Sequence, residues 1–218
     1  MKFLTAPREI ERESFKIIDG LIGERLAALD GPVKEIVRRV VHATGDPAVA
    51  AAVEVHPGAV EAAFEVFGGS RDVVADVHMV VAGITRLTKR YGLTVHCAAG
   101  DPEVEGEAAR CGCTRAMAAV KKLARFIDGG LAAVGNSPTA LWEILEMAHS
   151  GTARPALVVG TPVGFVGAAE SKRALAESGL PYITLHGTKG GSAVAASIVN
   201  SLLILWGREI KKRGKEAL

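Results

Sequence analysis

From residue 72 onward the chain alternates short β-branched runs with longer amphipathic or alanine-rich stretches, and this rhythm limits the fold more than any other feature. Residues 73–77, 93–97, 131–134, 156–159 and 182–185 read as strands. Residues 114–127, 138–149, 168–178 and 192–212 read as helices between and after them. A strand that is followed by a helix and then by another strand pairs in parallel, because the helix returns the chain to the starting end of the sheet. Parallel strands are covered on both faces, so they read as continuous apolar runs, as these do. The expected fold is therefore α/β, three-layer, with a mainly parallel sheet and helices on both faces. No repeat or polar linker divides residues 1–218, so a single domain is expected.

Helical punctuation supports the same reading. Residues 9–29 carry Ile10, Phe15, Ile18, Leu21, Ile22, Leu26 and Leu29 at near-helical spacing. A second helix opens at Asp30-Gly31-Pro32, lines one face with Val33, Ile36, Val37, Val40 and Val41, and meets its stop at Gly45. Ser137-Pro138 is an N-cap followed by a helix-start proline. The last helix carries Val194, Ile198, Leu202 and Leu205 on one stripe and closes on basic residues, which suits the negative end of its dipole.

Composition narrows the function classes. Lys and Arg number 26 against 24 Asp and Glu, a formal net charge of +2, which argues against a non-specific nucleic-acid partner. Aromatic residues are only 5%, too few for base-stacking platforms. The opening residues meet charge at once and show no apolar core of a secretory leader. Cys97, Cys111 and Cys113 are an odd count without metal-site spacing, which fits a reducing compartment. The uncharged run 190–207 approaches membrane-spanning length, but its serines, Asn200 and leading Gly-Gly favour a buried helix. A cytoplasmic location without a membrane partner or metal site is expected.

Ligands on such sheets gather beyond the carboxyl ends of the strands. Three glycine-rich junctions fall there: 135–139, 160–167 and 187–192. Lys189 is followed by Gly190, which excludes a P-loop, and Pro162 stands where a dinucleotide fingerprint requires glycine. Helix-start backbone amides still make these junctions fit for anions, carboxylates as well as phosphates. Of six histidines, His42 has the most informative place, in the last turn of the second helix. The helix dipole favours its imidazolium, whereas Arg38 and Arg39, on the same side one turn earlier, oppose it. Two effects of opposite sign make His42 a candidate acid or base at neutral pH.

Several segments together resemble the precorrin-8X methylmutase and cobalt-precorrin-8 methylmutase family. The marks are Glu13-Ser14-Phe15, Arg39-Val40-Val41-His42-Ala43-Thr44-Gly45-Asp46, and the run from Asp76 to Ile84. They continue with Thr114-Arg115, Gly135-Asn136-Ser137-Pro138-Thr139, the long block from Pro162 to Lys172, and Gly187-Thr188-Lys189-Gly190-Gly191-Ser192. The resemblance implies a cofactor-free isomerase of cobalamin biosynthesis that moves a methyl group between adjacent ring C carbons of a corrin precursor. It implies that His42 is the catalytic residue, protonating a ring nitrogen, and that the protein is a homodimer. Arg39 and Arg115 are then the candidate clamps for the substrate's acetate and propionate arms, with Ser14, Thr44, Asn136 and Lys189 as further contacts. A non-catalytic tetrapyrrole carrier would use the same anion-binding loops, so it stands as the alternative. Whether the substrate contains cobalt is left open at this stage.

Overall fold

The computed structural model describes residues 4–216, so the first three residues of the charged opening segment lie outside it. The chain begins with helices α1 (Pro7–Leu21), α2 (Gly23–Ala27) and α3 (Gly31–Thr44), then a 3-10 turn at Pro47–Ala51. Strand β1 (Val53–Val55), helix α4 (Ala59–Gly68), strand β2 (Asp72–Ala75), helix α5 (His78–Tyr91) and strand β3 (Thr94–His96) follow. Helices α6 (Pro102–Cys111), α7 (Arg115–Lys122) and α8 (Ala124–Ile127) then lead to strand β4 (Leu131–Val134). The remainder is α9 (Pro138–Ser150), β5 (Leu157–Gly160), α10 (Ala168–Ala176), β6 (Tyr182–Leu185) and α11 (Ser192–Glu216).

The six strands form one sheet in the order β1-β6-β5-β4-β2-β3. Pairings from β3 to β6 are parallel, and β1 alone runs antiparallel, at the edge beside β6. Side chains alternate between the faces with the two-residue strand period. Leu131, Ala133, Leu157, Val159 and Ile183 join the core formed with α3, α4, α5 and α11. Ala132, Val134, Val158 and Tyr182 join the core under α8, α9 and α10. The expected three layers are thus present. Helix α11 has the length and apolar content of a membrane span, but Val194, Ile198 and Leu202 are buried inside the first of these cores. Each such side chain contributes about 1.5–3 kcal/mol by leaving water.

Several boundaries differ from the expectations. The helix expected over 9–29 breaks at Ile22, whose φ of −122° is not helical. Gly20 and Gly23 flank the break and weaken the helix there, while Ile22 and Leu26 turn into the core. The helix expected over 114–127 is likewise interrupted at Leu123. The strand expected over 73–77 ends at Ala75, and after Asp76 the chain enters α5, whose N-cap Val77 offers no capping side chain. That missing cap hid the start of α5, and β1, α4 and α6 lie outside the expected elements.

Candidate functional site

Among the parallel strands the spatial order is β3-β2-β4-β5-β6, so the chain leaves β2 to one side for β3 and returns to its other side for β4. The crossover α5 packs on one face of the sheet, whereas α9 and α10 pack on the other. Loops leaving the adjacent ends of β2 and β4 therefore diverge and open a crevice. A cleft of about 750 Å³ lies there, lined among others by Asp76, Thr114, Arg115, Asn136, Ser137 and Thr139.

Asp76 forms the floor of this cleft. It is 4% exposed and accepts backbone N–H bonds from Gly135 (2.9 Å), Asn136 (2.8 Å) and Ser137 (2.8 Å). These donors belong to the turn entering α9, so the carboxylate ties the end of β2 to the start of that helix. Burial pushes the Asp76 carboxyl above the usual range, against the pull of the three amides. Gly135 is required by close approach, since a Cβ there would stand 2.7 Å from the Ser192 Cα at the start of α11. Thr114 caps α7 through the Met117 N–H and meets the Thr139 hydroxyl at 2.8 Å. Arg115 is exposed at the first position of α7, and Asn136 is exposed with its amide N–H held by Asp76.

His42 lies further along, exposed in the last turn of α3, which Gly45 ends in the left-handed region at φ 64°. Its Nδ1 is 2.9 Å from the Ser14 hydroxyl of α1, and its ring stands 5.3 Å from that of Phe15. Arg39 also lies over the Phe15 ring, 5.1 Å from its centroid. Its Nε donates to Glu35 at 2.7 Å and its guanidinium also reaches Glu11 at 3.2 Å. Arg38 is paired in turn by Asp19. Arg38 and Arg39 are therefore not the unpaired charges beside His42 that the sequence suggests, since carboxylates from α1 and from one turn earlier in α3 pair with both. Arg39 lines a groove of about 600 Å³ between α1 and α3 together with Arg8, Arg12, Lys16 and Arg208.

Thr44 donates its hydroxyl to the Val40 carbonyl at 2.9 Å, so that donor serves its own helix. Lys189 reaches back from the β6–α11 loop to pair with Asp46, four residues beyond His42. This contact holds the Asp46 carboxyl below its ordinary value. The structure therefore gathers Ser14, Arg39, Thr44 and Lys189 about the end of α3 with His42. It sets Arg115 and Asn136 apart, in the cleft above Asp76.

Two buried residues of this edge were not singled out from sequence. Asp76 was read as part of a strand, although an acidic residue at a strand's carboxyl end is itself a signal. Lys172 of α10 is wholly enclosed, and its Nζ donates to the Lys189 carbonyl at 2.7 Å. Desolvation pushes its ammonium down to about 8. At the start of the same loop cluster the buried Thr161 hydroxyl has no partner among the described residues. The three cysteines are free, with Cys111 exposed and the others half-buried. Among the described residues no group of three or more His, Cys, Asp or Glu side chains is gathered as for a metal.

Comparison with known proteins finds similarity over most of the chain. The family profile described as precorrin-8X methylmutase matches residues 9–205. The cobalt-precorrin-8 methylmutase of Priestia megaterium is 38% identical over 200 residues, covering 91% of this chain and 88% of its own. The precorrin-8X methylmutase of Pseudomonas aeruginosa is 37% identical over 195 residues, covering 88% and 93%. A crystal structure of the Thermus thermophilus precorrin-8X methylmutase superposes with a TM-score of 0.81 at 36% identity, covering 93% and 97%.

Proposed function

Because this chain belongs to the precorrin-8X methylmutase family, isomerases of cobalamin biosynthesis, we propose that His42 is its general acid in a methyl shift on a corrin precursor. The observation that carries this reading is the Ser14–His42 contact at 2.9 Å. When Nδ1–H donates to the Ser14 hydroxyl, the ring is oriented and Nε2 is the atom left to exchange a proton with the substrate. Protonating a ring nitrogen draws electron density from the macrocycle, and the methyl group moves between adjacent ring C carbons. The proton then returns to His42, so the net reaction is an isomerisation with no change in mass.

The substrate is a polycarboxylate, and the edge described above is rich in cations. Arg115 offers a guanidinium at the cleft, suited to bidentate carboxylate binding. Arg39, with Arg8, Arg12 and Lys16 beside it, offers a second basic region near His42. Arg39 and Lys189 are both paired with carboxylates of this chain, so a substrate arm takes the place of one carboxylate with another. Asn136 and Thr44 contribute polar contacts at the two ends. No cofactor takes part in the shift.

A homodimer is part of the same reading. Ile10, Ile17 and Leu21 are exposed on α1, spaced along one side of the helix that also carries Ser14. A second copy covering that stripe would enclose the His42 side. The cytoplasm is the expected location.

The test is to mix purified protein with the metal-free precursor and with its cobalt form, and to follow absorption and product mass. A spectral change at constant mass is expected, and the faster substrate assigns the branch, since relatives of both names are similar to this chain. His42→Ala should lower turnover by about 10²–10⁴-fold while leaving macrocycle binding largely intact. Binding without isomerisation by the wild type would support a carrier instead.

A further inference from the structure

The loop that joins β6 to α11 contains Gly187, Gly190 and Gly191, all at positive φ, and such a backbone resists little by itself. Three successive contacts hold it against the segment that leaves β5. Gly164 N–H donates to the Thr188 carbonyl at 3.0 Å, and Gly191 N–H donates to the Thr161 carbonyl at 2.8 Å. Between them, Lys172 Nζ donates to the Lys189 carbonyl at 2.7 Å. Lys172 supplies the side-chain clasp of the three. It is 0% exposed, and among the described residues no carboxylate lies within ion-pair distance of it. A wholly buried ammonium without a counter-ion is costly, and glutamine or methionine would fill the same space at less cost. A lysine here has a reason if the loop it holds must stay in one place.

The residue in question is Lys189 itself. The clasp holds its backbone, while its side chain leaves the loop and pairs with Asp46 at the end of α3. We infer that Lys172 is a positioning residue: its buried ammonium fixes the Lys189 peptide and so aims the Lys189 side chain at the edge beside His42, where a substrate carboxylate takes the place of Asp46. This rests on the reading above that Lys189 receives a substrate arm. Lys172 does not touch the substrate, so its contribution passes through Lys189 alone.

That dependence makes a sharp test, carried out by steady-state kinetics on the precursor that the wild type isomerises. Lys172→Met should raise KM about tenfold with kcat within twofold. Lys189→Met should raise KM by at least as much. In the Lys189→Met background, adding Lys172→Met should change KM by less than twofold, because the residue it positions is gone. Should Lys172→Met fail to fold, Gly190→Ala disturbs the same clasp with the lysine intact. A Cβ there would stand 2.2 Å from the Thr161 carbonyl oxygen, and the same KM rise is expected.

The outcomes separate two failures. If Lys189→Met leaves KM unchanged, the reading of Lys189 as a substrate contact is wrong, and the positioning role falls with it. If Lys189→Met raises KM but Lys172→Met, or Gly190→Ala in its stead, does not, only the positioning role is overturned. Effects of the two lysine variants that multiply independently, or a fall in kcat at constant KM, overturn it as well.

Discussion

His42 and the cleft above Asp76 lie along one edge of the same sheet, yet they are held in different ways. The His42 end depends on side-chain ion pairs between α1 and α3: Arg38 with Asp19, and Arg39 with Glu11 and Glu35. Most of these groups are partly exposed, and such pairs contribute about 1 kcal/mol or less each. The cleft instead depends on one buried carboxylate that receives three backbone N–H bonds. Hydrogen bonds to a charged group contribute about 1.5–3 kcal/mol each, and a buried donor left without its partner costs the full desolvation of that group. One end of the site is therefore built into the backbone, while the other can exchange partners as a polyanion arrives.

Asp76→Ala is the strongest way to break this contrast. It strands three buried or half-buried amides and should lower stability by about 3–5 kcal/mol, measured by urea unfolding. A loss under about 1 kcal/mol would mean that the cleft floor is no more rigid than the surface. Glu35→Gln tests the opposite end, since Glu35 reaches both Arg39 (2.7 Å) and Arg208 (3.6 Å). A loss of about 2 kcal/mol is expected, larger than for an exposed pair because Glu35 is buried. If it equals the Asp76→Ala loss, the two ends are held alike.

The smallest expected change has the opposite sign. Lys172 carries a buried charge, and moving its ammonium from 10.5 to about 8 corresponds to a penalty of about 3 kcal/mol at neutral pH. Lys172→Met removes that penalty but also the bond to the Lys189 carbonyl, leaving a gain of about 1–2 kcal/mol at pH 7. Between pH 8 and pH 10.5 the unfolded chain binds more protons at this lysine than the folded one does. The wild type's penalty is therefore relieved as pH rises through that window. Thermal melting across it should show the advantage of Lys172→Met shrinking, and an advantage that grows would reverse the sign argued here.

The layer architecture was legible in sequence because buried parallel strands and their crossover helices differ in length and in residue type. The alternation from residue 72 placed all five parallel strands within about two residues of their observed ends. Edge strand β1, Val53–Val55, was missed because it precedes residue 72, where the alternation begins, and pairs antiparallel outside that pattern. Helix α5 was missed because its N-cap is Val77, which offers no capping side chain. His42, Ser14 and Lys189 stood in recognisable segments, but their contacts did not. Ser14 lies 28 residues from His42 in the chain, and Lys189 lies 143 from Asp46.

Local rules thus determined from sequence alone what each segment becomes: the proline-started helices, the glycine stop after His42, and the glycine-rich turns at the strand ends. The tertiary structure decided which of those segments meet. Strand order set the crevice between β2 and β4, and burial turned Asp76 and Lys172 from ordinary charged residues into the supports of the loops above them. Segment identity follows from interactions a few residues apart, whereas the solvation of a charge depends on neighbours that only the closed fold brings near it.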